Sequence, residues 1–139
     1  MIKKIVFLMP NFDVIGAQKM CLNVIENLDN KDYLPTLIVL DEFGLLKKDS
    51  LKFNNHLVLK SNSKGGLISK IQTILSSFKL ANFINNLKPD VVVSIAPGTN
   101  IILLVSAFFY NFKRPRIIIE EHQHLSTSFE MDKSSHSFY

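Results

Sequence analysis

The chain of 139 residues contains no tryptophan, one cysteine, five glycines and five prolines. Each scarcity excludes something. A lone Cys21 cannot build an internal disulfide framework, and its use fits a reducing compartment. So few glycines and prolines exclude a collagenous or low-complexity chain. Neither G-x-G-x-x-G nor G-x-x-x-x-G-K-[ST] occurs, so the dinucleotide fingerprint and the P-loop are both absent. No apolar run approaches the roughly 20 residues of a membrane-spanning helix. The run from Ile101 to Phe112 is interrupted by Ser106 and Asn111 and reads as a buried or interfacial helix. Ile5–Met9, preceded by Lys3 and Lys4, has the look of a signal peptide but stops at Pro10, Asn11 and Asp13, with no small-residue cleavage site beyond. A buried first strand and a cytoplasmic protein are the expectation.

What is present is ordinary globular material. Hydrophobic residues make up 47% and charged residues 20%, which places the chain with folded proteins rather than disordered ones. The length suits one domain with a real core. Lys and Arg number 16 against 12 Asp and Glu, a net charge of +4, mild enough to favour phosphates or an anionic membrane face without a nucleic-acid motif.

The hydrophobic period alternates along the chain. Strands are predicted over Lys4–Met9, Leu34–Leu40, His56–Leu59, Asp90–Ile95 and Pro115–Glu120, the fourth and fifth carrying Val91-Val92-Val93 and Ile117-Ile118-Ile119. Between them lie helical stripes. Ala17, Met20, Cys21, Val24, Ile25 and Leu28 share one face, and Leu67, Ile71, Ile74, Leu75, Phe78, Ala81, Ile84 and Leu87 share another. Lys88-Pro89 stops that second helix. Ser61–Gly66 is turn material, and Ala96–Asn100 turns into a third helix over Ile101–Tyr110. Strands joined by helical crossovers imply an α/β fold, a Rossmann-like doubly wound parallel sheet with helices on both faces. Ligands then gather at the carboxyl ends of the strands, in the loops Pro10–Gly16, Asp41–Gly44, Ala96–Asn100 and Glu121–His124.

Those loops carry the candidate chemistry. Gly16 precedes a helix N-terminus, where free N–H groups and the helix dipole suit a phosphate; a tight turn alone would also want a glycine there. Glu120-Glu121-His122-Gln123-His124 follows the fifth strand. Its His-x-His lacks the partners of a metal site, whereas His122 suits acid–base work or substrate contact, against the plainer reading of a solvated strand end. Thr99 is placed to cap the third helix and Asn100 to meet a hydroxyl-rich ligand. Cys21 falls on an apolar helix face and reads as core. Lys113, Arg114 and Arg116, beside Phe108, Phe109 and Tyr110, suit either a solvated turn or an anionic leaflet.

The segments Ile5–Pro10, Gly16-Ala17-Gln18-Lys19 and Leu22–Leu28, together with Lys88-Pro89-Asp90-Val91-Val92-Val93 and Glu121-His122, resemble the N-terminal domain of GT-B glycosyltransferases of the family-4 (group 1) type. Those proteins open with a strand, a loop near GGAER and a helix near LxNLAxxL, and later carry KPDVV and EH elements; Ile15 stands here at the first loop glycine. The resemblance runs over residues 2 to about 128 and implies a retaining transfer of sugar from a nucleotide-sugar to a polysaccharide or lipid-linked glycan, without metal or other cofactor. It places Gly16 near donor phosphates and His122 at the transferred sugar; Ala17 beside Gly16 is expected to share the phosphates, and Asn100 and Glu121 to meet acceptor or sugar. Residues 1–125 are then the acceptor-side domain and 126–139 the start of an incomplete element. A C-terminal donor-binding domain, which carries the family's E-x7-E element, would be needed in cis or in trans, and this chain alone is expected to be inactive. The rivals are a stand-alone Rossmann-like subunit that docks on a separate catalytic chain or membrane, and a small nucleotide-binding domain of unrelated function.

Overall fold

The computed structural model describes residues 1–47, 56–59 and 67–121. The elements are β1 (Lys3–Met9), α1 (Gly16–Asn27), β2 (Tyr33–Val39), β3 (His56–Val58), α2 (Leu67–Leu87), β4 (Val91–Ile95), α3 (Pro97–Ser106), a short 3-10 turn (Ala107–Phe109) and β5 (Arg116–Glu120). All five strands are parallel, in the order β3-β2-β1-β4-β5. This is the doubly wound, Rossmann-like α/β sheet expected from the alternating pattern. His122 and His124, the turn Ser61–Gly66 and the segment 126–139 lie outside the described residues.

The alternation of strand side chains sorts the core into two layers. Phe7 and Met9 of β1 and Leu37 and Val39 of β2 pack under α1 with Cys21, Leu22 and Ile25. Val6 and Leu8, with Ile38 and Val92, face α2 and α3 through Leu80, Ile84, Ile102 and Leu103. Pro35 is tolerated inside β2 because, among the described residues, β3 pairs with β2 from Leu37 onward, so the missing N–H leaves no described partner unmet. Lys88 closes α2 in a left-handed conformation (φ 48°), its N–H donating to the Ile84 carbonyl at 2.8 Å, and Pro89 prevents continuation. Asp90 then ties three strands together. Its carboxylate accepts from Lys4 N–H at 2.8 Å, its own N–H donates to the Lys4 carbonyl at 2.9 Å, and its carbonyl accepts from Arg116 N–H at 2.9 Å.

Two helix faces differ from the sequence expectation. On α1 the buried residues are Gln18, Cys21, Leu22 and Ile25, whereas Met20 and Val24 are exposed. The apolar stripe is wider than the contact, and the sheet takes the side centred one residue later. On α2 the core takes Ser76, Ser77, Leu80, Ala81 and Ile84, and the first half of the expected stripe, Ile71, Ile74, Leu75 and Phe78, faces outward. Ser77 is satisfied within the helix by the Thr73 carbonyl at 2.8 Å. The helix is apolar on two sides, and periodicity alone cannot say which side a sheet will choose.

The third helix also begins earlier than expected. It starts at Pro97 rather than Ile101, because Pro at the first helical position has its φ preset and gives up only an N–H that has no intrahelical partner. Among the described residues, no helix is long and apolar enough to cross a membrane.

Gly44 is the glycine the fold requires. Its φ is 120°, and a Cβ there would lie 2.1 Å from the backbone carbon of Phe12. Phe12 is fully buried, with its N–H donating to the Phe43 carbonyl at 2.8 Å and its carbonyl accepting from Leu46 N–H at 2.9 Å. Gly44→Ala is therefore expected to lower stability by about 3 kcal/mol or more, read as a shifted urea midpoint. An unchanged midpoint would mean that the two loops do not brace each other.

Candidate functional site

The sheet order puts β1 between β2 and β4, so the chain crosses to one side after β1 and to the other after β3. At such a reversal the loops leaving the two neighbouring strands diverge and open a crevice. A cavity of about 490 Å³ lies there, lined by Pro10 and Asn11 after β1, by Ile15, Gly16, Ala17 and Gln18 at the start of α1, by Ala96 and Pro97 between β4 and α3, and by Glu121 after β5. Three of the four loops expected at the ligand edge thus meet in one place. The fourth, Asp41–Gly44, does not line the cavity but holds Phe12 behind its wall.

The floor of the β1–α1 loop is set by Asn11. Its Oδ1 accepts from Asp13 N–H at 3.0 Å and from Gln18 Nε2 at 3.4 Å, joining the loop to the first turn of α1. The helix opens at Ile15 without a side-chain cap, and its first turn holds no acidic residue. Lys19 N–H reaches the Ile15 carbonyl at 3.1 Å, which leaves the N–H groups of Gly16, Ala17 and Gln18 as the helix's unpaired donors. Gly16 takes no positive φ, and a Cβ on it would meet nothing within 4 Å. A tight turn therefore does not account for this glycine. The open space before it is what a ligand approaching the backbone would use.

The β4–α3 junction is strained. Ala96 has φ 85° and ψ 147°, a region occupied almost only by glycine. Its carbonyl accepts from Asn100 N–H at 3.0 Å and from the Thr99 hydroxyl at 2.9 Å, and that hydroxyl is shared with the Ile95 carbonyl. Thr99 is not the cap expected of it. With the helix beginning at Pro97, it sits inside the first turn, fully buried, and fastens the strained residue to the helix that follows.

Asn100 is also buried. Its Nδ2 donates to the Glu120 carbonyl at 3.3 Å, while its Oδ1 is buried without a partner. It does not line the cavity; it ties the end of β5 to α3. Of the residues singled out from sequence, Gly16, Ala17 and Glu121 do line the cavity, and His122 lies outside the described residues. Asn11, Gln18, Ala96 and Pro97 were not foreseen as site residues. Gln18 had a signal: it stands three and four residues before Cys21 and Leu22, a polar group at the head of the buried stripe.

The titratable groups nearby divide simply. Burial, with a smaller push from the Glu120 carboxylate, raises the Cys21 thiol to about 12, so the sulfur stays protonated and serves as core. Burial also raises Asp41, just beyond β2. Among the described residues, no group of three or more His, Cys, Asp or Glu is placed to hold a metal ion. Among the described residues, no lysine or arginine lines the cavity. Its polar groups are N–H donors, side-chain amides and the Glu121 carboxylate, a set that suits hydroxyls and a singly engaged phosphate better than a multiply charged anion. No family model and no curated protein matches this sequence.

Two outcomes test these assignments. Ala96→Gly releases the backbone strain and is expected to raise stability by about 1 kcal/mol after the added unfolded-state entropy; a loss of stability in urea would show that the Ala96 conformation is unstrained. For Asp41, a carboxyl whose folded pKa lies above its unfolded one binds more protons in the folded state, so stability falls as pH rises through that interval. Asp41→Asn should therefore be more stable than the parent at neutral pH and equal to it well below the carboxylate range. A constant difference across both conditions would exclude titration as the cause.

Proposed function

We propose that this chain is the acceptor-side half of a retaining GT-B glycosyltransferase of the family-4 type. In this reading a sugar moves from a nucleotide-sugar to a polysaccharide or lipid-linked glycan, and turnover needs a C-terminal donor-binding domain in cis or in trans. The observation that carries the reading is the switch-point cavity, where an uncapped helix start with an unobstructed glycine meets the Glu121 end of β5. Gly16 and Ala17 donate backbone N–H groups to a donor phosphate, assisted by the positive end of the α1 dipole. Glu121 accepts from sugar hydroxyls. His122, the next residue, supplies an imidazole for the transferred sugar. Asn100 acts indirectly, by fixing the end of β5 from which both extend. The reaction expected of these residues uses no metal.

With no cationic side chain lining the cavity among the described residues, this half is expected to hold the donor weakly. A second reading, a Rossmann-like subunit that docks on another chain or a membrane, is favoured by the outward-facing apolar residues of α2.

Amide NMR of the chain titrated with nucleotide-sugars separates the two. The expected result is a saturable shift at the amides of Gly16, Ala17 and Gln18, lost in Gly16→Val, whose side chain enters the open space without disturbing the fold. Absence of any shift at those amides at millimolar nucleotide-sugar would overturn the glycosyltransferase reading.

A further inference from the structure

The core leaves one side of the molecule apolar. Ile71, Ile74, Leu75 and Phe78 recur at three- and four-residue steps along α2 and are each about half exposed, at 53%, 50%, 54% and 47%. Their stripe is not isolated. The rings of Phe78 and Phe109 lie 4.2 Å apart, and Asn85, two turns further along α2, donates to the Phe109 carbonyl at 3.1 Å and accepts from Asn111 N–H at 3.1 Å. The 3-10 turn is thereby held against α2, and Phe108 beside it stands 81% exposed. On α3, Ile101 and Leu104 continue the surface at the same three- and four-residue steps up to Phe108. These exposed apolar side chains are neighbours along α2 and at the 3-10 turn rather than scattered singly.

Its charge is one-sided. From Leu67 to Ile119 the only acidic residue is Asp90, against Lys70, Lys79, Lys88, Lys113, Arg114 and Arg116. Asp90 is engaged by the Lys4 backbone N–H. Lys79, Lys113, Arg114 and Arg116 are exposed and have no carboxylate partner among the described residues. Aromatic and aliphatic side chains bordered by cations that no carboxylate pairs among the described residues match the boundary of a bilayer whose headgroups are anionic. An acidic protein would satisfy the cations but leave the exposed aliphatic stripe without a stated match.

We propose that the α2 stripe, the exposed edge of α3 and the Phe108–Phe109 turn, bordered by Lys79, Lys113 and Arg114, form a docking surface for an anionic lipid leaflet. The apolar side chains enter the interfacial layer and the cations stay at headgroup level. This attachment is peripheral and reversible, and it does not rest on sugar transfer, because it requires neither donor nor acceptor.

Co-sedimentation of the chain with vesicles of phosphatidylcholine, with and without phosphatidylglycerol, tests it. Binding should be at least roughly tenfold tighter to the anionic vesicles and should fall steeply with added salt, since the cations are exposed. Phe108→Ser and the pair Lys113→Ala/Arg114→Ala should each weaken binding by roughly tenfold or more, with cooperative urea unfolding retained because all three side chains are exposed. Equal binding to neutral and anionic vesicles, or none to either, overturns the proposal. So does a concentration-dependent dimer that Phe108→Ser disperses, which would assign the face to a second copy of the chain. Because no nucleotide is present, failure here leaves the amide titration unaffected, and the converse holds.

Discussion

β1 is hydrogen-bonded on both sides, to β2 and to β4, and everything else in the fold is arranged around that central strand. Both of its faces are buried, so its side chains serve two cores in alternation. The chain travels away from it in one direction through α1, β2 and β3, then returns over the sheet to β4 and β5. The cavity exists because the loops on either side of this reversal cannot pack against each other. Its position follows from strand order and needs no special residue.

What fits the crevice to a ligand is a smaller set of local constraints. One wall is a helix start that no side chain caps among the described residues, opened by a glycine that no turn and no described neighbour requires. Another is Ala96, held in a conformation costly for a side-chain-bearing residue by bonds from Thr99 and Asn100 to its carbonyl. Strain retained at a junction between two cavity-lining loops, and fastened by buried polar groups, is the pattern of a preorganised site. The glycine with a purely structural task is Gly44, which lies outside the cavity and supports Phe12 from behind.

The two helical layers differ in completeness. α1 meets the sheet with a face of Gln18, Cys21, Leu22 and Ile25 and leaves mainly polar residues outside. α2 meets it with two serines among its core residues and leaves isoleucines and a phenylalanine in the open. Burial of Ser77 costs little because its hydroxyl donates back to the Thr73 carbonyl. Exposure of the aliphatic stripe, in contrast, is not offset by anything in the described residues. That imbalance sets the α2–α3 side, with its exposed apolar residues, apart from the cavity edge of the sheet.

Strand positions, their parallel arrangement and the loops bearing Gly16 and Glu121 were legible in the chain, because buried parallel strands are written as short apolar runs and glycine and proline punctuate the turns. Lys88-Pro89-Asp90 was legible as a boundary, although its work in tying β1, β4 and β5 together was not. Three things were decided only in three dimensions. Which side of α2 is core depended on where the sheet and α3 lie, since the helix is apolar on both sides. The early start of α3 turned Thr99, an expected cap, and Asn100, a ligand-facing candidate, into buried braces, because a proline two residues after the strand begins a helix sooner than the apolar pattern does. And the meeting of Asn11, Gln18, Ala96 and Glu121 in one cavity joins residues more than a hundred positions apart, a proximity set by strand order and invisible to any local pattern.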